Sequence, residues 1–220
     1  MKHLLSTLTV ILALSSTAFA QDLGTTSMQA LDSKKGNTTN KDTVGWTYNG
    51  NITIGANQGM LHNWAAGGEI FSLTLNGLVN ANATYYHHRS IWSNQLDAAY
   101  GIFFAYSNSF QPRKTDDRID FTSKYGYRIS PTKDFYFVFL GNFRTQFTKG
   151  YDYTNPDWKN NPTSNFFSPL YITLAPGVEY RKGDMFSIFF SPLSARLTFV
   201  DKYYTSKDPK GAFGVDFNKS

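Results

Sequence analysis

Cysteine is absent from all 220 residues. Disulfides, thiolate metal sites and thiol nucleophiles are thereby excluded. Charged residues are scarce as well, at 17%, where ordinary soluble domains carry roughly 25%. Mean hydropathy is only -0.37, and beyond the N-terminus no apolar run approaches the roughly 20 residues that a spanning helix requires. A bundle of transmembrane helices is therefore excluded. Histidine is limited to His3, His62, His87 and His88. The basic residues are scattered rather than gathered into a patch, which removes the electrostatic footprint expected of a nucleic-acid binder.

What the chain has in excess is aromatic carbon: 19 Phe, 14 Tyr and 4 Trp, or 17% of the residues. Its polar content is carried mainly by Asn, Thr, Ser and Gln. The first 20 residues form a signal peptide: Lys2 supplies the positive start, residues 4–14 the short apolar stretch, and Ala18-Phe19-Ala20 the small-x-small cleavage site. Cleavage is expected between Ala20 and Gln21. It leaves 20 basic against 16 acidic residues, a net charge of +4. Residues 21–43 are polar, without sustained periodicity, and read as a flexible leader.

From residue 44 the pattern changes to period 2, which is the signature of strands with unlike faces. Seven segments show it: residues 46–57, 70–86, 91–108, 117–129, 134–147, 166–181 and 185–200. The fifth is the plainest. Phe135, Phe137, Phe139, Phe143 and Phe147 fall on one face, with Tyr136, Val138, Leu140, Asn142, Arg144 and Gln146 on the other. The links between segments alternate in length. Residues 58–69, 109–116 and 148–165 are long links, whereas residues 87–90, 130–134 and 182–184 are short. An outer-membrane barrel has this asymmetry, with short periplasmic turns and long external loops. With the short turns placed in the periplasm, Trp46, Tyr48, Tyr85, Trp92, Tyr127 and Tyr180 gather near one end of the apolar face, as an interfacial girdle requires.

Alternation alone also fits a soluble barrel with the apolar face inward. Two features decide between them. The segments meet or exceed the 9–11 residues, approximately, of a membrane-spanning strand. The polar faces of the first two carry no Lys or Glu, which a water-facing exterior would be expected to show. The expected fold is all-β: an antiparallel up-and-down transmembrane β-barrel across residues 44–220, with about seven strands and the start of an eighth. Single-chain bacterial barrels have an even strand number, so the alternation beginning at Phe213, Val215 and Phe217 marks a barrel expected to be incomplete at its C-terminus. Pro169, Pro176 and Pro192 lie within expected strands and should mark bulges or register shifts. In the last segment an Arg196 facing lipid would cost about 2–4 kcal/mol. Placing it inward puts Phe189, Leu193, Leu197 and Phe199 outward.

Four stretches, "NWAAGGE" (63–69), "WSNQLDAAYG" (92–101), "FFSPLYITLAPGVEY" (166–180) and "FFSPLSARLTFVD" (189–201), together resemble an uncharacterised family of signal-peptide-bearing outer-membrane β-barrels of Gram-negative bacteria, classified as a domain of unknown function. The resemblance implies the outer membrane as location and the barrel as fold. It brings no activity, cofactor or catalytic residue.

The residues themselves suggest no enzyme. His87-His88 sits in a short turn with Arg89 and Ser90, where sequence neighbours do not build a catalytic triad, and no third ligand is spaced for a metal. Asp116-Asp117 lacks a histidine on an adjoining link other than His62. No cofactor or metal is expected. His62, Trp64, Gly67 and Gly68 mark the first long link, either as a loop that folds inward as a constriction or grips an apolar ligand, or as a turn that needs glycine at φ > 0 with Trp64 at the outer interface. Asp97, Arg118, Asp120, Lys124, Arg144, Glu179 and Arg196 are expected on the barrel's inner face. There they make either a packed interior of ion pairs or a mainly cationic pore lining. The functional expectation is a channel or transporter for small polar or anionic solutes. The alternatives are a non-conducting structural or partner-binding barrel and, least supported, a membrane-embedded hydrolase. Expected partners are outer-membrane lipid, the barrel-assembly machinery, and a small polar solute or a surface partner.

Overall fold

The chain divides into two units, Met1–Lys35 and Gly36–Ser220. The computed structural model describes residues 44–61, 68–130, 133–182 and 185–220, all within the second unit. The expected signal peptide and leader, and His62, Trp64 and Gly67 of the first long link, lie outside the described residues.

The second unit is built on an antiparallel sheet of eight strands. In chain order these are β1 (Gly45–Met60), β2 (Phe71–His87), β3 (Ser90–Ala105), β4 (Arg113–Ser130) and β5 (Lys133–Thr145), followed by β8 (Leu170–Lys182), β9 (Phe186–Phe190) and β10 (Ala195–Phe199). Neighbours in sequence are neighbours in the sheet, save that β8 pairs with both β9 and β10. The short strands β6 (Gly150–Tyr151) and β7 (Pro162–Ser164) form a separate two-stranded ribbon inside the longest link. The sheet is up-and-down and curls into a half-barrel.

The period-2 pattern sets which face lies inside the curl. Along β5, Phe135, Phe137 and Phe139 are exposed and Tyr136, Val138 and Leu140 are buried, residue by residue. The register carries the same division across the sheet. Trp46 opposes Tyr85, Tyr85 opposes Trp92, Trp92 opposes Tyr125, Tyr125 opposes Phe139, and Phe139 opposes Pro176. One row of large apolar groups thus crosses six strands on the outer face. Trp46 lies 5.1 Å from Tyr85 and 5.7 Å from Trp92, ring to ring. Trp92 Nε1 donates to Ser123 Oγ at 2.9 Å, which satisfies the indole without drawing it off that face.

The link alternation is also present. Two residues, His88 and Arg89, join β2 to β3, and residues 131–132 join β4 to β5. The long links are residues 61–70, 106–112 and 146–169. At the short-turn end Arg89 donates to the carbonyls of Arg128 and Ile129 (3.1 and 2.8 Å) and covers the Tyr127 ring at 5.2 Å. This one side chain braces two neighbouring turns.

Strand boundaries differ from the sequence expectation in several places, three of which change the layout. The fourth segment starts at Arg113 rather than residue 117, and a register shift at Gly101/Ile102 absorbs the added length. The sixth starts only at Leu170, so Pro169 lies outside the strand. The seventh is two strands, with Ser191, Pro192, Leu193 and Ser194 between them. This interruption lies opposite Ala175, Pro176 and Gly177, the only stretch of β8 without a ladder partner on that side. Ser191 Oγ reaches the Pro176 carbonyl at 2.7 Å. A proline has no N–H to give to a ladder, and Pro176 and Pro192 both lie in this unpaired stretch.

The shift has a consequence for orientation. Phe190 opposes Val178 and Phe189 opposes Glu179, which places Phe189 inside the curl, not outside as expected. Ile188 and Phe190 take the outward positions instead. Gly177 makes the inward position possible: a Cβ there would fall 2.7 Å from Phe189 Cε2 and onto the Phe190 carbonyl. Leu197 and Phe199 keep their expected face, opposite Ile172 and Leu170.

Candidate functional site: the inner face of the sheet

Polar side chains occupy the buried face. Glu179 is 1% exposed and Asp120 6%, whereas Ile54 is 85% and Phe137 60% exposed on the other face. A carboxylate taken from water costs several kcal/mol unless it is paired and hydrogen-bonded, so the partners of each acid define the site.

Toward the short turns, Glu179 on β8 accepts from Lys124 Nζ at 3.1 Å and from Arg181 at 2.8 Å. Lys124 comes from β4, two strands away, and its ammonium lies 5.9 Å above the Phe189 ring. Arg128 donates to the Tyr136 hydroxyl at 3.0 Å and lies 3.7 Å from Asp134. Arg181 stacks over the same Tyr136 ring at 5.6 Å. This end of the inner face is closed by ion pairs and rings.

Toward the long links the acids are bound by amides. Asp97 opposes Asn80 and Asp120 in the ladder and accepts from the side-chain amides of Asn80 and Gln95. Asp120 accepts from Asn142 Nδ2 at 2.6 Å and opposes Arg144. Like charges directly opposite on a sheet repel. The three amides and the fields of Arg118 and Arg144 acting on Asp120 offset this for the Asp97–Asp120 pair. The arginines are the unequal partners here. Among the described residues Arg118, Arg144 and Arg196 make no side-chain hydrogen bond and no ion pair within 4.0 Å. Arg196 instead lies 4.4 Å over the Tyr171 ring.

In the register Asp97, Arg118, Asp120, Lys124, Arg144, Glu179 and Arg196 fall on one face of the sheet, in two groups. Sequence reasoning missed the amide partners Asn80, Gln95 and Asn142 and the part played by Tyr136. Alternation assigns such residues a face, and only the cross-strand register shows which acid each one meets. In the first long link, Gly68 has φ of 140°, and a Cβ there would meet the Leu61 side chain. This is the steric demand for glycine considered for that turn.

The long-link end is extensively bonded. Asp117, with its side chain 2% exposed, accepts from Lys114 Nζ (2.7 Å), Phe147 N (2.6 Å), Thr148 N and Thr148 Oγ1 (both 2.9 Å). It ties the start of the longest link to β4. Within that link the amide and hydroxyl of Thr154 bond Asp152 (3.0 and 2.6 Å) and hold its carboxyl below the ordinary value. Beyond β10, Asp201 caps the four-residue helix α1 (Lys202–Thr205) by accepting from Tyr203 N at 2.8 Å. Lys207 reaches the Pro162 carbonyl at 2.8 Å. The segment after the last strand is thus joined to the β6–β7 ribbon.

Fold and site together define an all-β protein with a curled antiparallel sheet, apolar outside and polar within. Residues 56–151 match a family model described as a protein of unknown function, DUF3078. No curated protein and no solved structure matches the chain.

Proposed function

We propose that the chain is an outer-membrane β-barrel protein whose inner face admits small anionic solutes. The observation that carries the proposal is an imbalance on the inner face. Its acids, Asp97, Asp120 and Glu179, are each bound by amides or cations, while among the described residues Arg118, Arg144 and Arg196 make no ion pair within 4.0 Å. Cations without a contact ion pair on an inner wall lower the barrier for anions and raise it for cations.

Membrane residence is supported by the outer face, where rings that water would reject are the exposed ones. It is also supported by length. A 16-residue strand such as β1 extends about 50 Å, or about 40 Å along the normal at a tilt of roughly 40°. That exceeds the apolar band, about 25 Å tall, of such barrels. Among the described residues the outer edges of β1 and of β9 and β10 have no strand partner. Backbone groups cannot stay unpaired in lipid, so in this proposal further strands close the barrel there. Export by the signal peptide and insertion by the barrel-assembly machinery belong to the same reading. It assigns the protein no catalytic step.

Planar-bilayer recording on the full-length protein in a salt gradient tests this. The reversal potential should lie toward the anion, and Arg144→Glu should move it toward the cation. A cation-selective wild type would contradict the proposal. The Lys124–Glu179–Arg181 cluster favours a second reading, a filled interior at the short-turn end. A silent bilayer with folded protein present would support it, leaving a structural or partner-binding barrel.

A further inference from the structure

The longest link folds back onto the outer face of the sheet and leaves a cleft of about 250 Å³ there. We infer that this cleft, built from Lys114, Lys149, Tyr151, Tyr153 and Trp158, binds the phosphorylated sugar headgroup of a membrane glycolipid. The inference rests on the reading of the strands as membrane-spanning.

Position is the first argument. Tyr100 and Ile102 form the cleft floor, and they oppose Gly77 and Leu75 in the outward apolar row. The cleft therefore opens on the face assigned to lipid, at the long-link end, where the outward row gives way to polar groups. In a spanning barrel this is the level of the headgroups, the usual place for Trp and Tyr.

Charge is the second. The cleft is lined by two lysines and no carboxylate. Asp117, which pairs with Lys114, is occupied by its four donors and has little capacity to repel an anion. Lys114 serves Asp117 and the Thr148 carbonyl, which fixes its position. Lys149 is exposed, and among the described residues its ammonium has no partner. Phosphate oxygens accept from such an ammonium as strong charge-assisted acceptors.

Shape is the third. Trp158 packs edge-on against Tyr151 (5.2 Å) and Tyr153 (5.0 Å). Arg113 lies over the Tyr153 ring at 5.3 Å, and Lys114 N donates to the Tyr153 hydroxyl at 2.8 Å. The rings are thereby held before any ligand arrives. Among the described residues Trp158 Nε1 and the Tyr151 hydroxyl have no partner, so they remain for sugar hydroxyls. The volume is below the range of drug-sized sites, roughly 300–1,000 Å³. It suits one sugar ring with its phosphate, the acyl chains remaining along the outer face of β3.

The test is a titration of the full-length protein in neutral detergent with a phosphorylated, acylated glucosamine disaccharide, read as saturable binding. The expected result is that Lys149→Glu, a surface change that leaves the fold intact, weakens binding about tenfold or more, the loss of one charge-assisted contact. Removing the phosphate from the probe should weaken it similarly. Binding unaffected by Lys149→Glu overturns the site. Free glucosamine 1-phosphate competing as strongly as the lipid overturns the glycolipid as its source. Membrane fractionation of the same protein separates the two readings. Lys149-dependent binding by a protein absent from the membrane fraction removes the barrel and leaves a sugar-phosphate cleft. A membrane-inserted protein indifferent to Lys149→Glu removes the cleft alone.

Discussion

Phe139→Arg should block insertion almost completely. Phe139 stands mid-sheet on the outer face, between Tyr125 and Pro176, and 51% of it is exposed. An arginine on the lipid face near the bilayer midplane costs about 2–4 kcal/mol. That is a large fraction of the 5–15 kcal/mol, approximately, by which folded proteins exceed their unfolded state. Folding yield into vesicles, followed by protease protection, should therefore fall sharply for this variant. The same change at Asn142, three residues along on the inner face, should lower the yield much less, because an arginine there meets the Asp120 carboxylate in place of the amide. In water the ranking would reverse, because replacing an exposed phenylalanine by arginine costs a soluble sheet almost nothing.

Glu179→Gln carries the second large effect. It removes the acid shared by Lys124 and Arg181 while keeping the side-chain volume. Lys124, with its side chain 11% exposed, is then a buried cation without its ion pair. Removing one member of a buried pair typically costs about 3–5 kcal/mol, because the remaining charge stays desolvated. The urea midpoint of the refolded protein should drop accordingly. Adding Lys124→Met should recover part of the loss, since the uncompensated charge is then gone. Equal losses for the single and double variants would mean that the damage arises from packing rather than charge.

The fold was legible because a sheet with two unlike environments prints its period directly on the chain. Phe135, Phe137 and Phe139 of β5 and the rings of Trp46, Tyr85 and Trp92 share the one face that alternation assigned them. The last two strands were less legible. Residues 185–190 are apolar at nearly every position, so no alternation fixes a phase. The expectation then rested on Arg196, counted back through Pro192 as though the strand were continuous. The chain breaks at Ser191–Ser194, and Phe189 changes face. Pro176 and Pro192 each signalled an irregularity, but not that both would fall in the same gap. The inner face was legible as a set of charges and not as pairs. Glu179 and Lys124 are 55 positions apart in sequence, and only the β4–β5–β8 register brings them to 3.1 Å. The cleft on the longest link left no sequence signal beyond a concentration of Tyr, Trp and Lys. Its walls come from β3, β4 and the β6–β7 ribbon, and they meet only once residues 146–169 fold back.

A single cysteine introduced into a chain that has none reports directly on which solvent each face meets. With the full-length protein in its native membrane, position 142 should react readily with a water-soluble maleimide. Position 139 should react slowly with that reagent and readily with a lipid-soluble one. Equal, rapid labelling of both positions by the water-soluble reagent would contradict a lipid-facing exterior and with it the barrel.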